Sequence, residues 1–160
     1  MNKEILFRAK AINRDPNREY RTNYKNGDWV YGLITRFSIE TSFGVSPAHM
    51  TNEEGIAGID VDDNTIGQYI GRKDKNGTKI FEGDIFEIED DGYFVVQWGD
   101  GYFELQYYGY YEYCVDGNAY ETRWGKLDAE PIWDWDIEGM EIKGNIFDTP
   151  ELLKNIYEGE

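Results

Sequence analysis

The sequence predicts a mainly β protein of antiparallel strands, with a small SH3-like barrel element and a short C-terminal helix. Apolar residues alternate with polar ones across turn-separated segments, and this period of two is typical of strands with one buried face. The alternation is clearest at Phe86 and Ile88, continues in residues 94–98, and resumes in residues 103–107 after a Gly-Asp-Gly turn. These segments predict a three-stranded antiparallel meander that forms part of the barrel.

The first half of the chain predicts short strands separated by turns. An Asn-Gly pair favours a tight turn because both residues tolerate positive φ. Residues 42–55 are rich in Ser, Thr, Asn and Gly and contain Pro47, so we predict a surface loop there. The predicted strands are 5–9, 29–34 and 65–70, and the predicted turns lie at residues 13–18, 26–28 and 74–77.

The second half adds a late strand and the helix. Residues 109–136 mix Gly, Tyr, Trp and acidic residues with less regularity, and residues 140–147 predict a strand. Asp148 or Thr149 can cap a helix that has Pro150 in its first turn. Its apolar stripe is Leu152, Leu153, Ile156 and Tyr157. We divide the chain into an N-terminal β region, 1–64, and a region 65–160 with the hairpin, meander and helix; the two could pack as one domain.

Charge is the unusual feature of the composition. The 160 residues include 32 Asp and Glu but 16 Lys and Arg, a net charge of −16. Residues 1–36 carry a net +4, whereas residues 81–160 carry −17. A long acidic stretch repels DNA phosphate, so nucleic acid is a disfavoured partner. The basic start keeps a nucleic-acid-binding β-barrel as the alternative function.

Several classes of site and location are excluded or disfavoured. One cysteine, Cys114, excludes an intrachain disulfide, and one histidine, His49, excludes a histidine-cluster metal site. Residues 60–71 begin like a calcium loop but have Thr65 at the sixth position and Gly71 at the twelfth. No catalytic constellation or phosphate loop is found, so we expect no enzyme activity, cofactor or metal. The absence of a signal-peptide pattern or an apolar membrane span predicts a cytoplasmic protein.

Aromatic residues mark the candidate interface. Ten of the 21 residues from 93 to 113 are aromatic, and alternation can bury only about half of them. Tyrosine offers a large, stiff contact area with one polar tip, which suits interfaces. Packing within the sheet and stacking on bases or sugars remain open, as does assembly into a homo-oligomer. The candidate interface residues are Tyr108, Tyr110, Tyr111, Tyr113 and Trp124.

One long segment resembles a known family. Residues 65–85, TIGQYIGRKDKNGTKIFEGDI, are similar to the hallmark stretch of the YopX family, and residues 4–9, 29–32 and 144–153 also fit its pattern. Arg72 and Phe81 stand where Leu and Tyr are more frequent, and residues 107–136 match no part of it. The resemblance implies a small β protein of phages or prophages of Gram-positive bacteria, without established catalysis. We therefore expect an accessory protein in the bacterial cytoplasm that binds a host or phage protein.

Overall fold

The computed structural model describes residues 3–14, 23–89 and 92–154. The chain divides into two compact units, residues 1–71 and 72–160. Antiparallel strands dominate both units, which confirms the predicted mainly β class. Most of the turn predicted at residues 13–18 lies outside the described residues. So do Ile156 and Tyr157 of the predicted helix.

The first unit is built on an antiparallel sheet. Its strands follow the order β6-β5-β2-β1-β7, while β3 and β4 form a separate hairpin. Gly27, at φ 88°, occupies the turn before β2, as the Asn-Gly pair predicts. The strands are β1 (Phe7–Lys10), β2 (Trp29–Arg36), β3 (Ile39–Thr41), β4 (Gly44–Ser46), β5 (Ala48–Asn52), β6 (Ile59–Val61) and β7 (Gly67–Lys73), the last of which runs past the division between the units.

The core of this unit corrects one sequence prediction. Residues 42–55 are not simply a surface loop, because they contain β4 and the inner strand β5. Ala48 and Met50 are fully buried against Ala9, Val30 and Val61. The period of two was present in β5, but the Ser, Thr and Asn residues around it concealed the pattern.

The second unit contains an open five-stranded antiparallel sheet in the order β12-β11-β10-β9-β13. The predicted meander is confirmed as β9, β10 and β11. In the described residues the sheet does not close, so the SH3-like barrel element is wrong. Residues 109–116 and 119–131 are strand rather than irregular chain. The strands of this unit are β9 (Asp84–Ile88), β10 (Gly92–Trp98), β11 (Phe103–Asp116), β12 (Ala119–Pro131) and β13 (Ile142–Asn145), together with β8 (Lys79–Phe81), which lies outside this sheet.

Both faces of this sheet are covered near its centre. Ile85 and Phe86 are adjacent in β9 and both are buried, and so are Val95 and Val96 in β10. The sequence predicted a single buried face containing Trp98, yet that side chain is 53% exposed at the strand end. Burial therefore depends on position along the strand as well as on the face.

The remaining elements are short 3₁₀ turns. They comprise Asp63–Thr65, Ile132–Asp134, Ile137–Gly139 and Pro150–Leu153. Up to residue 154, where the described part of the chain ends, the predicted C-terminal helix is only the last of these turns. Thr149 precedes Pro150 but caps nothing with its side chain; its hydroxyl instead accepts from the Asn145 N–H at 3.0 Å. That bond ties the turn to the end of β13, which shows why a regular helix does not start there.

A buried carboxylate organises the start of the second unit. Asp74 is 6% exposed, and its Oδ1 accepts from the backbone N–H groups of Asn76 and Thr78, both at 2.9 Å. Its Oδ2 accepts from the N–H of Ile142 at 3.2 Å. The predicted turn at residues 74–77 is confirmed, with Gly77 at φ 79°. Asp74 thus joins a turn to β13, far away in sequence.

Candidate functional site

Two strands of the second unit extend well beyond their neighbours. β10 pairs with β11 only as far as Tyr108, whereas the pairing of β11 with β12 continues to Asp116 and Ala119. Residues 109–125 therefore form a two-stranded hairpin arm, which we call the ribbon. An isolated two-stranded hairpin is marginal in water, so its side chains need to supply additional stability.

One face of the ribbon is held by Trp124. Tyr110 lies directly opposite it across the strands, and the two rings meet edge to face with centroids 5.0 Å apart. The Trp124 Nε1–H donates to the carbonyl oxygen of Leu153 at 3.0 Å. The C-terminal 3₁₀ turn thereby anchors the base of the ribbon, which gives Trp124 a structural role.

The other face carries Tyr111, Tyr113 and two charged residues. Gly125 leaves room for the Tyr111 ring, since a Cβ there would lie 3.1 Å from the Tyr111 Cε1. The Tyr113 hydroxyl donates to Glu121 Oε2 at 2.6 Å. The Arg123 guanidinium lies 4.3 Å from the centroid of the Tyr113 ring, which is a cation–π distance. These contacts order side chains that would otherwise be loose on an exposed arm.

The predicted interface residues do not share one environment. Tyr110 and Tyr111 are each 37% exposed, whereas Tyr108, Tyr113 and Trp124 are half-buried. Tyr108 lies at the base of the ribbon, opposite Lys126. The structure places these residues on one hairpin, but alternation divides Tyr110 and Trp124 from Tyr111 and Tyr113.

Two exposed ribbon residues were not among the interface residues predicted from the sequence. Tyr120 is 67% exposed and Val115 is 51% exposed. Tyr120 shares a face with Tyr110 and Trp124, because it pairs with Cys114 four residues along β11. It lies seven residues beyond the tyrosine run, so only the hairpin register brings it to this surface. The alternation of residues 119–124 was the available signal.

The Tyr113–Glu121 pair allows a direct test of the ribbon geometry. The hydrogen bond to the Glu121 carboxylate raises the pKa of Tyr113, since ionising the phenol would lose that bond and place two negative charges together. Glu121→Gln should move the pKa of Tyr113 down toward 10. The measurement is a titration of the tyrosine ¹³Cζ resonances by NMR.

Glu112→Gln is the matched control for this titration. Glu112 is an exposed carboxylate on β11, opposite Thr122 and on the other ribbon face. The Glu112→Gln substitution should therefore leave the pKa of Tyr113 unchanged. Equal effects of Glu112→Gln and Glu121→Gln would contradict the assigned pairing and would indicate a general charge effect.

An open groove lies at the base of the ribbon, on one face of the five-stranded sheet. It encloses about 580 Å³ and has aromatic walls supplied by Phe94, Tyr107 and Trp135. The Phe94 ring centroid is 4.5 Å from that of Trp135 and 5.5 Å from that of Tyr107. Ile88 and Leu127 complete the apolar lining.

A β-bulge in β12 lies opposite Tyr107 in this groove. The pairing register of β11 with β12 shifts between Gln106 and Tyr108, so Leu127 and Asp128 of β12 together face the single residue Tyr107. Its ring lies beside two glycines, because a Cβ at Gly92 or at Gly109 would come within 2.7 Å of it. The buried Gln106 amide compensates for the irregular pairing by donating to the carbonyls of Tyr107 and Leu127. Bulges frequently redirect a side chain in this way.

Charged residues surround the groove. Lys126, Asp128 and Glu130 lie in its lining, which gives a local net charge of −1. Glu130 Oε2 accepts from the Trp135 Nε1–H at 2.8 Å. The Arg72 guanidinium donates to the carbonyls of Ile132 and Trp135, at 3.3 and 3.4 Å, and so holds the segment that carries Trp135. These hydrogen bonds hold Trp135 in place at the groove.

The basic residues of the first unit are arranged differently. The Arg8 Cζ lies 4.7 Å and the Lys10 Nζ 5.1 Å from the centroid of the Trp29 ring. Arg8 is only 6% exposed. Two of the eight basic residues in 1–36 are therefore turned toward an aromatic ring.

The described residues contain neither a metal-binding cluster nor a membrane-spanning helix. Across residues 3–14, 23–89 and 92–154, no group of three or more His, Cys, Asp or Glu side chains is placed to hold a metal ion. Within the same ranges no helix has the length and hydropathy needed to cross a bilayer.

The fold and the site together define a class: a two-unit β protein that presents an aromatic ribbon and an aromatic groove on its acidic half. The family model described as YopX protein matches residues 19–154. Because that match spans most of the chain, the protein belongs to the YopX family. It includes residues 107–136, where we found no resemblance. No curated protein matches the chain.

Proposed function

We propose that this protein is a non-enzymatic, phage-type accessory protein that binds a host or phage protein through the ribbon. The observation that carries the proposal is the exposure of aromatic and apolar side chains on a projecting arm. Tyr110, Tyr111, Val115 and Tyr120 are each more than a third exposed. Large exposed aromatic groups on an ordered element favour a protein interface, because they bury much area at a small entropic cost.

Charge favours a basic partner surface. Residues 81–160 carry a net charge of −17, and the ribbon itself contains Glu112, Asp116 and Glu121 against Arg123. Complementary potentials accelerate encounter and disfavour like-charged partners. The acidic half of the chain is therefore suited to select a positively charged protein, while the tyrosines supply the contact area.

The test is capture from the lysate of a bacterial host with wild-type protein and a double variant, Tyr111→Ser with Tyr120→Ser. We expect the variant to retain about a tenth or less of the partner recovered by the wild type, because tyrosine is enriched among the hot-spot residues whose truncation costs about 2 kcal/mol or more. Quantitative mass spectrometry of the captured proteins gives the ratio.

Phe43→Ser provides the matched control, since Phe43 is a fully exposed aromatic on the β3–β4 hairpin of the first unit. It should leave recovery unchanged. Equal recovery by the ribbon variant and the control would remove the ribbon from the proposal. A bait that recovers only itself, with a multiple of its mass in light scattering, would instead assign the ribbon to self-assembly.

The alternative function, nucleic-acid binding through the basic N-terminal region, is supported by the aromatic and cationic side chains gathered at Trp29. Such binding weakens steeply with salt because it releases counterions. Retention on DNA at low ionic strength that disappears by about 0.2 M salt would favour this alternative. Absence of retention at low salt would eliminate it.

A further inference from the structure

We propose that the groove at the base of the ribbon binds a cationic side chain, an arginine or a lysine, presented by an extended segment of a partner protein. The proposal rests on the protein-binding function and adds the chemical class that this surface recognises. It draws on the aromatic walls, the two carboxylates at the rim and the size of the groove.

The aromatic walls suit a cation. Tyr107 and Trp135 are both partly exposed in the groove, and the buried Phe94 ring packs against them with centroid distances of 5.5 and 4.5 Å. Ring faces carry negative potential, so a guanidinium or ammonium group within about 6 Å of a ring centroid is attracted, most strongly by tryptophan. The Glu130 carboxylate accepts from the indole Nε1–H of Trp135 and so places a negative charge beside that ring.

The rim charges select against anions. Asp128 is exposed, and within the described residues no hydrogen bond or ion pair engages its carboxylate. The positive charge of Lys126 cancels one of the two carboxylate charges, so the rim keeps a net charge of −1. Residues 81–160, which contain the rim, carry a net charge of −17. A phosphate or an acidic peptide would be repelled there, whereas a guanidinium could pair with the Asp128 oxygens. Paired carboxylate and guanidinium groups make charge-assisted hydrogen bonds.

The size and openness of the groove indicate how the cation arrives. A volume of about 580 Å³ exceeds one side chain and lies in the range of small-molecule sites. An open groove can accept a side chain together with the backbone on either side of it. The ribbon begins at Gly109, next to the Tyr107 wall, so one partner could contact both surfaces.

The test uses a dye-labelled, end-blocked heptapeptide of alternating glycine and arginine. The same peptides with citrulline or glutamate in place of arginine serve as ligand controls, because citrulline keeps the shape of arginine without its charge. Fluorescence anisotropy at low salt gives the affinities. We expect saturable binding of the arginine peptide alone.

Two variants locate the site and act in opposite directions. Asp128→Asn should weaken arginine-peptide binding about fivefold, and Lys126→Gln should strengthen it about twofold. Asp100→Asn is the matched control: it removes the same charge from an exposed turn at the far end of the β10–β11 hairpin and should change binding less than twofold. The Trp135 indole N–H resonance should shift on binding, while that of Trp98 stays in place.

Several results would overturn the proposal. These are no saturable binding, equal binding of the citrulline peptide, equal effects of Asp128→Asn and Asp100→Asn, or an unmoved Trp135 resonance. If the uncharged citrulline peptide shifted the Trp135 resonance as much as the arginine peptide does, the groove would instead be a site for neutral ligands such as sugars. The role of the ribbon is tested separately by partner capture. If capture is lost in the Tyr111/Tyr120 variant but kept in Asp128→Asn, the proposed role of the groove is refuted and the protein-binding function is retained.

Discussion

Replacing Gly32 by alanine is expected to destabilise the first unit by about 3 kcal/mol or more. Gly32 lies in the central strand β2, opposite Asn52 of β5. A Cβ at this position would overlap the carbonyl oxygen of Thr51 and lie 2.8 Å from the Asn52 Cα. Both neighbours are backbone atoms, so no side-chain rotation relieves the overlap, and the two strands would have to separate.

Hydrogen exchange followed by mass spectrometry can measure this loss in one unit at a time. Peptides from the first unit should lose protection in Gly32→Ala. Leu33→Ala is the control, because Leu33 is the next residue of the same strand and is 51% exposed. Exchange in Gly32→Ala that matched Leu33→Ala would contradict the close approach of β2 and β5.

Asp74→Ala is expected to lower the free energy of unfolding of the second unit by about 3 to 5 kcal/mol. The side chain is buried and accepts from three backbone N–H groups, those of Asn76, Thr78 and Ile142. Alanine would leave these donors without an acceptor, and each buried unsatisfied group costs about 1 to 3 kcal/mol. Urea unfolding followed by tryptophan fluorescence is suitable, because Trp98, Trp124, Trp133 and Trp135 all lie in this unit.

The contribution of Asp74 should also depend on pH. Burial opposes ionisation, but the backbone hydrogen bonds from Thr78, Ile142 and Asn76 outweigh it and lower the pKa of Asp74 below its usual 3.8. A lowered folded-state pKa stabilises the protein above the pKa of the unfolded chain, and this stability is lost as the pH falls through the folded value. The difference between wild type and Asp74→Asn should therefore be largest near neutral pH and shrink below about pH 4.

The exposed Asp100 supplies the comparison for that titration. Asp100→Asn should differ little from the wild type at any pH, since surface carboxylates contribute little. A gap between wild type and Asp74→Asn that stayed constant from neutral pH down to pH 3 would contradict the assigned hydrogen bonds.

Local signals in the sequence were sufficient for much of the fold. Asn26 with Gly27 and Asn76 with Gly77 predicted turns correctly, because positive φ at glycine is a property of the residue itself. The meander was predictable because apolar residues recur with a period of two in each strand, although Ile85 and Val95 are apolar as well. The 42–55 segment was misread, since β5 owes its place to burial of Ala48 and Met50 by neighbours distant in sequence.

The same distinction applies to the ends of the second unit. Closure of a barrel depends on hydrogen bonding between first and last strands, which no local pattern specifies, and the sheet stays open. The helix prediction relied on an apolar stripe and Pro150, but the Thr149 hydroxyl accepts from the Asn145 N–H, and the described residues after it form one 3₁₀ turn. Residues 109–131 lacked a visible pattern because tyrosines occupy both faces of an exposed hairpin.

The candidate site could be predicted only in part. The density of aromatic residues was sufficient to single out Tyr110 and Tyr111. The groove could not be predicted, because it depends on tertiary features: a bulge in β12 opposite Tyr107, glycines at 92 and 109 that leave room for the Tyr107 ring, and Trp135 in a 3₁₀-rich segment held by Arg72. Each of these is a tertiary relationship between residues that are ordinary in the sequence.

β12 is an edge strand of its sheet, and this affects how copies of the chain associate at high protein concentration. Among the described strands β12 pairs only with β11, so the main-chain donors and acceptors of alternate residues along its thirteen-residue length have no strand partner. Such a margin is a template for fibril growth. In a parallel, in-register stack, however, Glu121, Arg123, Lys126 and Asp128 would each meet their own copy about 4.8 Å away. The repulsion between identical charges makes this strand a poor seed for amyloid despite its aromatic residues.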